Sequence, residues 1–285
     1  MASGRRSAIR PGFGTTLHAR PSLLDASFIA LVPLVLVGVF TLPAEVREAY
    51  VLDYAAPTLV AMDASHFVHL TAEHLVANLA GYLLVVSTAY VLSLLGDRRR
   101  TFRVAFPSFL LALPFGLSVL NMLFFRNAVA YGFSGVVTGY FGLLALSLFG
   151  YLERRTSIDG GIRHAPVTFF LGIAAIAVAI APATRASVGI AAAALVVCGL
   201  YGRDLLGAGR PLGRLRSGLG AAPPGYLELG ALGTLLLFGY PFIAFPADPF
   251  QGGAVVNLDT HLLGYALGFI SAYTFQVLPW TSVGR

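Results

Sequence analysis

The sequence predicts an all-α polytopic membrane protein with about eight transmembrane helices, and three observations carry that prediction. Of the 285 residues, 57% are hydrophobic and only 11% charged, and the mean hydropathy is +0.79. A soluble domain is nearer half apolar and a quarter charged. So few charges do not cover a water-exposed surface of this size, which excludes a soluble globular enzyme, a nucleic-acid binder and a disordered chain. The apolar residues also gather into eight runs, each close to the ~20 residues that cross roughly 30 Å of hydrocarbon as a helix. Finally, the polar breaks between runs hold the basic residues in small clusters, as topology signals do.

The runs cover roughly 26–43, 70–95, 104–125, 133–152, 165–182, 186–202, 226–246 and 257–279. Helices are expected because lipid cannot satisfy exposed backbone N–H and C=O groups, and the alternating short segments of a β-barrel are missing. The first run follows a mostly polar stretch with four arginines and precedes no clear cleavage site, so it reads as a retained helix after a cytoplasmic arm, 1–25. Only Ala183, Thr184 and Arg185 separate the fifth run from the sixth, so one bent element is an alternative there. Residues 280–285 read as a cytoplasmic tail, which leaves 26–279 as one transmembrane domain.

All nineteen basic residues are arginines, and the net charge is +6. With the N-terminus inside and eight crossings, sixteen of them fall on inner segments, among them Arg98, Arg99, Arg100, Arg103, Arg154, Arg155 and Arg163. Arg47, Arg126 and Arg185 stay outside. The expected location is therefore the cell membrane, multi-pass, with both termini cytoplasmic. The single cysteine, Cys198, lies in an apolar run and is expected to pack rather than react.

Polar groups at membrane depth are costly and mark functional candidates. Three clusters stand out. The first opens the second run: His66, His69, His74 and Asn78, with His74 and Asn78 four apart on one helical face. His66, His69 and His74 offer only a weak metal site, since their spacing matches no zinc motif. The second, Gly132-Phe133-Ser134-Gly135-Val136-Val137-Thr138-Gly139, opens the fourth run, and its Gly135 and Gly139 permit a close helix crossing. The third opens the eighth run, where His261, Gly264 and Gly268 share a face. Each alone reads equally well as packing. In the topology above, however, helices two, four and eight all start at the outer face. His74, Ser134 and His261 then lie at similar depth, and the glycine faces can bring Ser134 within reach of His261 as nucleophile and base.

These pieces, His69-x4-His74-x3-Asn78, Gly132-x-Ser134-Gly135 and His261-x2-Gly264-x3-Gly268, resemble the rhomboid family of intramembrane serine proteases in both residue type and order. The resemblance covers about 26–152 and 257–279. It implies a rhomboid-like bundle with a six-helix core, here with two extra helices between the serine and histidine helices. It also implies a serine–histidine dyad that uses no metal or cofactor, and transmembrane protein substrates. Ser134 would be the nucleophile and His261 the general base and acid. His74, Asn78 and the Ser134 backbone N–H would bind the oxyanion, and Gly132, Gly135, Gly139, Gly264 and Gly268 would let the helices close around the site. His66 and His69 are candidates for lining a water-filled cavity. Besides those extra helices, two further departures are visible. Thr138 stands where many members carry an aromatic ring that supports the histidine, a role Tyr265 or another aromatic would have to fill, and the Trp-Arg pair of the first outer loop is missing. A catalytically silent relative that binds membrane helices, and a polytopic transporter, are the alternatives.

Overall fold

The computed structural model describes residues 13–14, 22–124, 127–156, 161–182, 184–207, 223–251 and 254–278. The tail at 280–285, most of the arm at 1–25, and several of the arginines used for orientation lie outside the described residues. Among those described, seven helices are long and apolar enough to cross a membrane: an all-α polytopic membrane protein.

The first, α1 (Leu23–Phe40), begins at Ser22, whose hydroxyl accepts from the Leu24 N–H. A short loop domain follows: α2 (Ala44–Glu48), β1 (Leu52–Asp53), α3 (Leu59–Ala64) and a 3-10 turn at Ser65–Phe67. Then come α4 (Ala72–Leu95), capped by Thr71, and α5 (Arg99–Asn121). The two-residue β2 (Val129–Ala130) pairs antiparallel with β1, Leu52 opposite Ala130, and so fastens the loop domain to the start of the next helix. That helix, α6 (Ser134–Thr156), is the centre of the bundle, with 94% of its apolar window buried.

After α6 the fifth and sixth runs form two helices, α7 (Pro166–Ile180) and α8 (Arg185–Gly207), rather than one bent element. The seventh run is broken near its end into α9 (Tyr226–Gly239) and the single turn α10 (Pro241–Ala244). The hairpin of β3 (Phe250–Gln251) and β4 (Ala254–Val255) leads to α11 (Leu258–Val277). At 20 residues α11 has the length of a span, but Asp259, Thr260 and His261 in its first turn dilute its hydropathy, and it is not one of the seven.

Helix limits differ from the apolar runs by a few residues, for a physical reason. Hydropathy ends where charge begins, whereas a helix ends where its backbone loses partners. Arg99 to Arg103 therefore belong to α5, and Glu153 to Arg155 to α6.

The bundle has two chemically distinct ends. At one, Asp25 is buried (7% exposed) and accepts hydrogen bonds from the Tyr90 hydroxyl and from the guanidinium groups of Arg99 and Arg103, tying α1 to α4 and α5. At the same end Arg98 pairs with Glu153 at 2.8 Å and donates to Gln276, joining the last turns of α6 and α11. Removing Asp25 leaves two arginines and a phenol without their acceptor. Because Arg103 is half exposed, the expected cost of Asp25→Ala is about 2 kcal/mol, read as a lowered melting temperature in detergent; an unchanged melt contradicts this role.

At the other end α4, α6 and α11 all begin, and α9–α10 finishes. The serine and histidine helices run parallel in constant register. A Cβ on Gly135 would meet the Thr260 methyl at 2.6 Å, and one on Gly142 the Phe269 backbone N at 2.6 Å. On α6, Gly135, Gly139 and Gly142 thus face Thr260, Gly264 and Gly268 of α11 with almost no side chain between. At Gly142, Gly264 and Gly268 a Cβ would run into the backbone of the partner helix, so the approach needs glycine there.

Candidate active site

The site is assembled from helix starts. Gly132 takes φ +104°, a left-handed conformation that lets β2 turn into α6 and leaves Ser134 as its first residue. Its N–H donates to the Ser65 carbonyl at 3.0 Å, which holds the loop domain against the turn. Asn257 caps α11 by accepting from the Thr260 N–H at 2.9 Å, which puts His261 in the first turn. The glycine register then sets the two side chains side by side: Ser134 Oγ lies 2.7 Å from His261 Nε2.

The other face of the His261 ring is fixed as well. Its Nδ1 lies 2.5 Å from the Ala244 carbonyl oxygen at the end of α10. A carbonyl can only accept, so a hydrogen bond at this contact requires the proton on Nδ1 and leaves Nε2 to accept from the Ser134 hydroxyl. The Phe245 ring stands edge-on to the imidazole, centroids 5.8 Å apart and planes at 86°. His261 is 6% exposed while Ser134 is half-buried.

The ring that supports His261 is therefore Phe245 and not Tyr265. Tyr265 points the other way, stacked on Phe169 at 5.1 Å, and donates its hydroxyl to the Phe169 carbonyl. Thr138 is fully buried in the α6–α11 crossing. Its hydroxyl donates to the Gly135 carbonyl and fills the space beside Gly264.

His74 lies over the turn that presents the serine, so that a Cβ on Gly132 would come within 2.8 Å of His74 Nε2. Asn78, one turn on, is buried and donates through Nδ2 to the His74 carbonyl at 2.9 Å. A primary amide has two N–H donors, so one remains, and its Oδ1 is buried without a hydrogen-bond partner among the described residues.

His66 and His69, the candidates for lining a water cavity, are both buried. The Ser118 hydroxyl gives its proton to the Met62 carbonyl at 2.6 Å, so it accepts from His66 Nε2–H at 3.0 Å. The fully buried His69 ring packs edge-on against His74, centroids 5.0 Å apart. Burial pushes the His66 imidazole down to about 4 and that of His69 to about 3, so both are neutral at pH 7. Arg47, from α2, donates to the His69 carbonyl and lies over the Phe40 ring at 4.6 Å. It thereby ties α1, α2 and the histidine loop together.

Sequence reasoning missed four contributors. Ala244 acts through its backbone and carries no side-chain signal. Phe245 is one of 21 phenylalanines. Asn121 Nδ2 donates to Thr260 Oγ1 at 2.7 Å, one residue before His261, across a long sequence separation. Ser118 joins the site end through His66. Polarity within an apolar run was the available signal for Asn121 and Ser118. No protein-family model, curated protein or solved structure matches the chain.

Proposed function

We propose that this chain is an intramembrane serine endopeptidase of the rhomboid kind, cleaving transmembrane segments of other membrane proteins through a Ser134–His261 dyad. One observation carries the reading: a serine hydroxyl at the start of a buried helix, 2.7 Å from Nε2 of an imidazole whose Nδ1 faces a main-chain carbonyl. The motif order and the positive-inside count support it, with the bundle in the cell membrane and both termini cytoplasmic.

The chemistry follows from the residues present. A serine hydroxyl is a poor nucleophile until a base takes its proton. As Ser134 Oγ attacks a peptide carbonyl carbon, its proton passes to His261 Nε2 and the carbonyl oxygen becomes an oxyanion. The Ser134 N–H, the second Asn78 N–H and a His74 N–H are the donors proposed for that charge, and the N-terminus of the 23-residue α6 adds positive potential. When the tetrahedral intermediate collapses, His261 gives the proton to the departing amine. Water, activated by the same imidazole, then hydrolyses the ester on Ser134. No metal or cofactor is called on. The substrate helix has to unwind locally, because helical carbonyls are already hydrogen-bonded, so helix-weakening sequence favours cleavage.

Asn78→Ala tests the oxyanion assignment. Losing one such donor lowers kcat by roughly 10²–10³-fold, with KM and the melting temperature little changed. A kcat within threefold of wild type removes Asn78 from the role. The test of the function itself is cleavage of a transmembrane substrate by the purified protein, compared with Ser134→Ala and His261→Ala. Binding without cleavage by any form favours the silent relative.

A further inference from the structure

Serine hydrolases commonly orient the imidazole with a buried carboxylate, which accepts from Nδ1–H and stabilises the imidazolium that forms. Among the described residues no carboxylate is hydrogen-bonded to His261; the group at Nδ1 is the Ala244 carbonyl. That carbonyl has a particular place in the fold. Tyr226–Ala244 is a 19-residue apolar rod made of α9 and α10. The last carbonyls of a helix have no intrahelical partner, and together they carry the negative end of its macrodipole, about half an electron charge.

Local sequence sets where this end points. Tyr240 passes the chain from α9 into α10, and Pro241 starts the final turn. The N–H of Ala244 donates to the Tyr240 carbonyl at 2.9 Å and that of Phe245 to the Pro241 carbonyl at 2.8 Å, closing the turn. Phe245 then leaves the helix at φ −130°, ψ 63°, and its fully buried ring seals the imidazole from the side. Ala244 O is thus a buried helix-end carbonyl delivered to Nδ1. The rod is itself anchored on α4 and α6: a Cβ on Gly233 would meet Leu148 at 2.9 Å, and one on Gly81 the Tyr240 hydroxyl at 3.1 Å.

We propose that the carboxyl end of the Tyr226–Ala244 rod replaces the carboxylate of a triad. Ala244 O and the Phe245 ring are positioning groups that hold His261 with its proton on Nδ1, and the helix terminus stabilises the imidazolium formed when Ser134 attacks. This rests on the dyad reading above. It extends that reading from two side chains to a third, main-chain member, and makes the seating of α9–α10 a condition of catalysis.

The tautomer is directly measurable. In the full chain, labelled with 15N-histidine and reconstituted in lipid, the His261 resonances are those lost in His261→Gln. The expected spectrum at neutral pH has a protonated Nδ1 and a bare Nε2. As a second arm, Nδ1-methylhistidine at position 261 keeps Nε2 free for Ser134 but cannot donate to Ala244. Its kcat is expected to fall by at least about 10²-fold and at most roughly the 10⁴-fold seen on disabling a triad carboxylate, with KM within about threefold. A predominantly Nε2-protonated His261, or a methylated enzyme with wild-type kcat, overturns the proposal. The dyad reading survives that result when the wild type cleaves and Ser134→Ala does not. A wild type that neither cleaves nor takes a fluorophosphonate label at Ser134 overturns both. Should the methylated chain not fold, the tautomer of the unmodified protein remains decisive.

Discussion

Ser134→Ala and His261→Ala are each expected to remove cleavage of a transmembrane substrate almost completely, by roughly 10⁵–10⁶-fold in kcat, the range seen when one member of a concerted serine–histidine pair is deleted. The double variant is expected to be no worse than either single one. Nucleophile and base act as a unit: a serine without its base keeps its proton, and a base without its serine has no reacting oxygen to serve. The melting temperature is expected to change little in Ser134→Ala, since one hydrogen bond at a half-buried position is at stake, on the order of 1 kcal/mol. A fluorophosphonate reagent labels the wild type at Ser134 and neither variant. Cleavage that persists in Ser134→Ala ends the assignment.

The second large effect is expected at a position with no chemistry of its own. A Cβ at Gly268 would sit 2.6 Å from the Gly139 carbonyl carbon and 2.8 Å from its Cα. Both are backbone atoms, so no side chain can swing aside, and α6 and α11 have to part. Gly268→Val is expected to lower stability by roughly 1–3 kcal/mol, as overpacking does. It is also expected to lower kcat/KM by at least about 10²-fold, because a misplacement near 1 Å already has that effect on reacting groups. Gly189, on the outer face of α8, is the control: a Cβ there meets nothing within 4 Å. Gly189→Ala is expected to leave activity unchanged and, by helix propensity, to raise stability by a few tenths of a kcal/mol up to about 1. Equal losses in the two variants would mean that glycine content, and not this crossing, is what matters.

Much of the fold was legible because membranes impose a simple rule. Lipid leaves the backbone only helices or closed barrels, so counting apolar runs near 20 residues located each rod to within a few residues. Seven of the runs form helices that are both long and apolar enough to span, and the eighth forms α11 despite its polar first turn. Where the reading slipped, local detail was responsible. Pro241 splits the seventh run into α9 and α10, whereas the fifth and sixth runs form the two helices expected of them.

The amino-acid sequence by itself determined the membrane class, the order of the rods, and the candidate site residues: Ser134, His261, His74 and Asn78. Each was a polar group in an apolar run, and the cost of burying such groups made them visible without coordinates. It also fixed where the close crossing lies, since a stripe of glycines along one helical face needs no partner to be recognised. Only the tertiary structure decided what surrounds those side chains. It made Phe245, and not Tyr265, the ring beside His261; it put His66 and His69 inside the packing; and it brought the Ala244 carbonyl to Nδ1. Hydropathy and spacing are properties of one segment at a time. Contacts such as Ala244–His261 and Asn121–Thr260 join segments far apart in sequence, and a main-chain carbonyl looks the same in every residue until the fold aims it.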